Sequence, residues 1–580
     1  MPTNSFFSGG PNRRSGSILL WIFIVIMLAA WSRLAAQQPT ALEVEYTPTP
    51  LGIDVQVPRF SWQMAGDTDR HGIQQTAYAL TVTDEAGTEV WKSGRVNSGT
   101  ALGIPYAGEG LEPTTRYDWA VTVYDERDSS YSATSWFETG LLNATEAAWQ
   151  GAQWIGGGEA DQVLQAHYLS VFRVSYAMQL DEASGSETAS FLFGVNDIRL
   201  QDQYKNIFSI EAEADSSYIR LELDISGEQP MFNIYRVGYH PDDASDRPLY
   251  AIALPDSVLG AADEYGRHDV TIGSVFGTTR IYLNGTEIGT DHENYYSGGF
   301  GRGGLVLNPN GPSGDYIAFP MLADIGFAVP AGQEATFSDL EIRHYRAPSN
   351  LLWTEDLEAS SYTGVFSDVE EDKLRVTEGG YRVSGGTDGT FFVADPSRNA
   401  APMLRTSFDA EGDVAAARLY VTGRGVYEMY LNGERVGEDW FNPGLTQYDE
   451  TQLYQTYDVT DRIKADSSNA LGAWLGEGWW SGNYTFTGAN WNYFGDRPSL
   501  LAMLLVEYAD GRSEVITTNE QDWQYYDDGP VRYGSFFQGE VYDARQEAAI
   551  AGWSTAEYEV TGWTPATVVD LEQTAFTGEN

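Results

Sequence analysis

Apolar and polar residues alternate along most of this chain with the period of two that marks a half-buried β-strand rather than the 3.6 of a helix. Tyr117, Trp119, Val121 and Val123 share one face, with polar or small residues between them. Further strand-like runs occupy residues 77–82, 89–91, 190–194, 219–225 and 281–283. Residues 500–508 are almost continuously apolar, the pattern of a strand buried on both faces, and Asp510-Gly511 then turns the chain into Val515-Ile516. Asn284-Gly285 and Asn432-Gly433 each follow a Tyr-Leu pair and predict type I′ hairpins. With 61 glycines punctuating these runs and little of helical period, the reading is all-β.

The runs group into tandem β-sandwiches. Residues 42–145 predict a fibronectin type III-like sandwich, in which Leu111, Pro113 and Thr115 lead into Tyr117 at the spacing of a tyrosine corner, whose phenol bonds to upstream backbone. Residues 158–345 have longer strands and acidic loops and predict a jelly roll of the concanavalin or laminin-G kind. Residues 346–398 are polar and read either as a linker or as added strands. Residues 399–580 predict a third sandwich. The Tyr-Leu-Asn-Gly shared by the last two sandwiches reads as convergence on one hairpin type, with duplication as the second reading.

Charge changes the picture next. There are 83 acidic and 34 basic residues, a net charge of −49, which repels phosphate backbones and argues against nucleic-acid binding. Neutral sugars are not repelled, and carboxylates pair well with hydroxyls and hard cations. At the N-terminus, Arg13 and Arg14 precede an apolar run from Ile18 to Trp31, followed by Leu34-Ala35-Ala36. These are the parts of a secretory signal, with cleavage expected near Ala36. The run is shorter than the ~20 residues of a membrane span; an uncleaved anchor is the second reading. The expectation is a signal peptide over 1–36 and a secreted, periplasmic or cell-surface protein with no membrane span after its removal. The chain has no cysteine, which removes thiol catalysis and Cys-ligated zinc.

Few motifs carry chemistry. Gly299-Phe300-Gly301-Arg302-Gly303-Gly304 fits G-x-G-x-x-G, but strand and turn follow where a phosphate-binding helix is needed, so it reads as a flexible loop. Six histidines without H-E-x-x-H offer no histidine metal site. Glu477-Gly478-Trp479-Trp480-Ser481-Gly482-Asn483-Tyr484 sets two indoles and a carboxylate in a glycine-flanked loop. Sugar C–H faces stack on indole and sugar hydroxyls need carboxylate or amide partners, so this is the composition of a carbohydrate site; the alternative is that the tryptophans plug a sandwich core. Gln538-Gly539-Glu540-Val541-Tyr542-Asp543-Ala544-Arg545 brings two carboxylates near an arginine, either as a structural ion pair or facing a ligand or calcium.

Longer strings carry a family resemblance. Pro50-Leu51-Gly52-Ile53-Asp54, Pro58-Arg59-Phe60-Ser61-Trp62, Val90-Trp91-Lys92-Ser93-Gly94 and Trp149-Gln150-Gly151-Ala152-Gln153-Trp154-Ile155-Gly156 resemble the N-terminal domain of bacterial α-L-rhamnosidases of glycoside hydrolase family 78. Ala417-Arg418-Leu419-Tyr420-Val421, Leu431-Asn432-Gly433-Glu434-Arg435-Val436-Gly437, Pro443-Gly444-Leu445-Thr446-Gln447-Tyr448 and Gly539-Glu540-Val541-Tyr542-Asp543-Ala544-Arg545 resemble that family's next module. Residues 157–394 depart from the minimal pattern and read as a jelly roll inserted between the two modules.

The resemblance implies an inverting hydrolase acting on rhamnose-containing polysaccharides or glycosides, with glutamates in an (α/α)6 barrel as acid and base. The sequence reaches Asn580 where that barrel is expected to start, so no catalytic residue is assigned. It also implies that the third sandwich is galactose-binding-like, a type that binds rhamnose with calcium in some relatives. That nominates Asn432, Glu477, Trp479, Glu540 and Asp543 as sugar-site candidates, with no cofactor required and calcium left open. The expected role is the carbohydrate-binding and scaffold part of an exported α-L-rhamnosidase. Two other roles stand beside it: a free-standing secreted carbohydrate-binding protein, and inert scaffolding.

Overall fold

A computed structural model describes residues 38–65, 74–157, 169–298, 303–312, 320–343, 345, 348–349, 351–355, 357, 362, 364–377, 379–396, 400–482, 493–537, 539–570 and 575–578. The expected signal segment, Gly299 to Arg302 of the glycine-rich loop, and Asn483 and Tyr484 lie outside the described residues. Among the described residues, no helix is long and apolar enough to cross a membrane. The fold is all-β, a series of β-sandwiches, with short 3₁₀ turns between strands.

The first sandwich packs a sheet of Pro39–Val44, Arg59–Met64 and Ile104–Pro105 against one ordered Glu89–Lys92, Gln75–Asp84, Arg116–Asp125, Ser130–Glu138. Burial alternates along Arg116–Asp125, sending Tyr117, Trp119, Val121 and Val123 into a core with Phe60, Leu80 and Phe137. The Tyr117 hydroxyl accepts the Glu112 amide N–H at 2.9 Å, the expected tie from phenol to upstream backbone.

The second sandwich has a six-stranded sheet that includes Thr188–Val195, Tyr218–Asp224 and Asp324–Val329, facing a ten-stranded one that includes Val171–Leu180, His268–Val275 and Glu334–Arg343. Phe191, Phe327, Phe337 and Tyr381 fill the space between them. Within 346–398, Leu351–Thr354 and Gly380–Ser384 pair with Glu334–Arg343, and Thr390–Ala394 closes the six-stranded sheet beside Asp324–Val329. Asn284 and Gly285 have φ of 49° and 80°, as a type I′ turn demands.

The third sandwich has a six-stranded sheet, Glu434–Arg435, Val426–Leu431, Ser467–Gly476, Met403–Ala410, Gln524–Tyr526, Thr564–Pro565, and a seven-stranded one containing Val414–Arg424, Thr451–Asp458 and Ser499–Tyr508. Ile155–Gly156, which precedes the jelly roll in sequence, pairs with Ser499–Tyr508 in the seven-stranded sheet. The second sandwich therefore interrupts the third after its first strand. Ser499–Tyr508 is buried on both faces: Leu500, Ala502, Leu504 and Val506 enter the sandwich core, while Leu501 and Met503 meet a second cluster.

That second cluster joins the first and third sandwiches through Leu141, Trp149, Trp154, Tyr454 and Phe576. Polar groups lock the same seam. The Tyr454 hydroxyl accepts the Leu141 N–H at 2.8 Å, and Asp54 accepts the N–H groups of Leu142 at 2.7 Å and Gly578 at 2.8 Å. The third sandwich is thus held in a fixed pose against the first.

Candidate functional site

Alternation along Val426–Leu431 buries Tyr427, Met429 and Leu431 and turns Val426, Glu428 and Tyr430 outward. Trp474, in register with Glu428 on the neighbouring strand, joins this outer face. A hairpin of Val531–Ser535 and Gly539–Tyr542 projects beside it. Together they enclose a cleft of about 580 Å³, lined among others by Glu428, Tyr430, Trp440, Phe441, Trp474 and Phe536. Glu477 and Glu540 also line it. Gly478 allows the chain to pass close to its neighbour: it has φ +51°, and an added Cβ would sit 2.8 Å from Val426 Cγ1.

The aromatic side chains form a connected ledge. The Trp479 and Phe536 ring centroids are 4.4 Å apart, and Phe536 and Phe441 are 5.1 Å apart. Trp440 is 66% exposed and Phe441 58%, unusual for large apolar side chains outside a binding surface. The Arg435 guanidinium stacks on Trp440 at 4.1 Å from the ring centre and pairs with Glu428 at 3.4 Å, fixing the indole from behind. Tyr430 donates its hydroxyl to Glu428 at 2.7 Å, and burial together with that carboxylate pushes the phenol's pKa up. The cleft therefore offers apolar ring faces beside acceptor oxygens.

The two loop tryptophans have different roles. Trp480 is buried, donates its indole N–H to the Arg497 carbonyl at 3.0 Å, and packs edge-on against Tyr448. Trp479 is half-buried and joins the ledge. Glu477 is 6% exposed, while Glu540 is exposed on the hairpin.

The other two candidates stand apart from the cleft. Asn432 has φ 53° in the predicted hairpin; its amide donates to the Arg462 carbonyl at 2.9 Å and to Asn469 at 2.7 Å, and accepts the Ala470 N–H at 3.0 Å. Asp543 accepts the Arg545 backbone N–H at 3.0 Å and guanidinium contacts at 2.8 and 2.6 Å. These hydrogen bonds hold its carboxyl down at about 2. Asp543 also caps the 3₁₀ turn Ala544–Ile550. Among the described residues, no group of three or more His, Asp or Glu converges as metal ligands.

Sequence reasoning did not nominate Glu428, Trp440, Phe441, Trp474 or Phe536. The outward face Val426, Glu428, Tyr430 was readable from alternation, and Trp440-Phe441 from its position beside a proline-glycine turn.

Comparison with known proteins agrees with this architecture. Residues 412–579 match the family described as Alpha-L-rhamnosidase N-terminal domain, and residues 39–143 match Rha78A-like, N-terminal immunoglobulin domain. An alpha-L-rhamnosidase of Streptomyces avermitilis is 31% identical over 551 residues, covering 91% of this chain and 44% of that protein. One from Alteromonas sp. is 36% identical over 218 residues, 37% of this chain and 23% of the relative. The crystal structure of Streptomyces avermitilis alpha-L-rhamnosidase complexed with L-rhamnose superposes with a TM-score of 0.51 at 25% identity, covering 93% of this chain and 46% of that one. The chain spans less than half the length of these relatives. By these matches the chain belongs to the α-L-rhamnosidases of glycoside hydrolase family 78.

Proposed function

We propose that this chain is the carbohydrate-binding, non-catalytic part of an exported α-L-rhamnosidase, and that the cleft of the third sandwich holds a sugar of its rhamnose-containing substrate. The observation that carries the reading is that Phe536 and Phe441 line the same cleft as Glu428 and Glu477, with Trp479 packed against Phe536 beside it. Apolar sugar faces stack on the rings, and hydroxyls donate to the carboxylates. Bond cleavage is assigned to the remainder of a longer protein. Family members place acid and base in a helical barrel, whereas the helical turns among the described residues here are short 3₁₀ turns. Export rests on the basic, apolar and small-residue order of residues 13–36.

Calorimetry of the purified chain with L-rhamnose, with and without calcium, tests the binding role, and release of p-nitrophenol from its α-L-rhamnoside tests for hydrolysis. Saturable binding without turnover is expected, and Trp479→Ala, which removes the packing partner of Phe536, should weaken the binding while leaving the melting temperature nearly unchanged. Absence of heat for L-rhamnose under both conditions overturns the binding role; turnover by the chain itself overturns its non-catalytic status.

A further inference from the structure

We infer that the cleft of the third sandwich is built for a neutral oligosaccharide of at least two rings rather than for a single monosaccharide. The inference rests on the cleft being a sugar site and adds the class of ligand it selects.

Extent is the first argument. One sugar ring covers about one aromatic side chain when it stacks. Here Phe536 and Phe441 both line the cleft with centroids 5.1 Å apart, and Trp479 packs against Phe536 at 4.4 Å beside it. Trp440, next in the chain to Phe441, lines the same cleft and is 66% exposed. The volume, about 580 Å³, lies inside the roughly 300–1,000 Å³ of small-molecule sites.

Rigidity is the second. Trp440 is backed by the Arg435 guanidinium at 4.1 Å, and that guanidinium is held by Glu428 at 3.4 Å. An exposed indole held in place by a charged partner loses little freedom when a second ring docks on it. A one-ring site around Phe536 would have no use for a braced platform at Trp440.

Charge is the third. Glu477 and Glu540 line the cleft beside Glu428, whose charge Arg435 offsets, on a chain whose net charge is −49. Carboxylates accept from hydroxyls but repel a ligand carboxylate, so a ring bearing a uronic acid is disfavoured against its neutral counterpart. Arg532, also in the cleft, lies 2.5 Å from Asp528, which offsets its charge.

The test is calorimetry of the purified chain with three probes: L-rhamnose, an L-rhamnosyl disaccharide whose second ring is a neutral hexose, and one whose second ring is a uronic acid. The neutral disaccharide should bind about tenfold more tightly than L-rhamnose, the gain of one further stacked ring. Phe441→Ala should erase that gain, so that the variant binds the neutral disaccharide no more tightly than it binds L-rhamnose. The uronic disaccharide should bind more weakly than the neutral one, with the difference shrinking as salt is raised. Equal affinity for L-rhamnose and both disaccharides overturns the inference while leaving a one-ring sugar site standing. A gain that survives Phe441→Ala, or tighter binding of the uronic disaccharide, also overturns it. Failure of all three probes to bind removes the sugar site itself.

Discussion

Arg418 of the third sandwich reaches across the seam to Glu138 of the first, with its Nε 2.8 Å from one carboxylate oxygen and 3.0 Å from the other. The side chains are 11% and 4% exposed, so this is a buried ion pair between residues 280 apart in sequence. Arg418 also lies 2.8 Å from Asp458, so one guanidinium serves carboxylates of both sandwiches. Removing one partner of a buried pair leaves an uncompensated charge, so Arg418→Ala should destabilise the protein by about 3–5 kcal/mol at neutral pH.

That cost has a defined pH dependence. Burial holds the Glu138 carboxyl above its ordinary 4.5, with Arg418 opposing the shift. For a raised carboxyl, the stability contribution is fully present below the ordinary value and lost as pH rises through the folded value. Without Arg418 the folded value rises further, so the penalty of Arg418→Ala should be small near pH 4 and grow towards neutrality. Thermal melting of both proteins across that range checks it; a penalty independent of pH would show that Glu138 is not the group left exposed to burial.

The same seam depends on a neutral hydrogen bond. Tyr454 is fully buried and its hydroxyl accepts the Leu141 N–H. Tyr454→Phe keeps the ring against Trp149 but orphans a buried donor, at a cost of about 1–3 kcal/mol. Urea unfolding followed by tryptophan fluorescence should show the midpoint fall with little change in slope.

Trp479 and Trp480 are adjacent yet should respond in opposite ways. Trp480→Ala removes a buried indole, its hydrogen bond to Arg497 and its packing on Tyr448, which predicts a loss of about 3–5 kcal/mol. Trp479→Ala removes a half-exposed ring from the ledge and should weaken sugar binding with a much smaller change in melting temperature. The pair of variants, measured by calorimetry and by thermal melting, separates scaffold from site; equal destabilisation by both would make the whole loop a core plug.

The contrast shows where the sequence is legible and where it is not. Alternation at Tyr117, Trp119, Val121 and Val123, and the apolar run 500–508, report burial directly because burial there follows strand period. Ile155–Gly156 carries no such signal: two residues have no period, and their partner strand lies beyond the whole second sandwich. Composition pointed to Glu477, Trp479 and Glu540, all at or beside the cleft. It could not tell Trp479 from Trp480, since tertiary packing decides which neighbour turns inward. Nor could it join Glu428 to Trp474, which meet only through strand register.

Asn432 tests whether the hairpin is scaffold. Its amide makes three hydrogen bonds, and its backbone sits at φ 53°, a conformation that Asn tolerates and Ala resists. Asn432→Ala loses both advantages, whereas Asn432→Gly loses the hydrogen bonds but adopts the left-handed backbone freely. Alanine should therefore cost about 1 kcal/mol more than glycine, although glycine is ordinarily the more disruptive substitution. Both variants should bind sugar as the unaltered protein does, because the residue does not line the cleft. Chemical unfolding gives the order of stability and calorimetry gives the affinity. A loss of sugar binding in the glycine variant at a temperature where it remains folded would return Asn432 to the binding site.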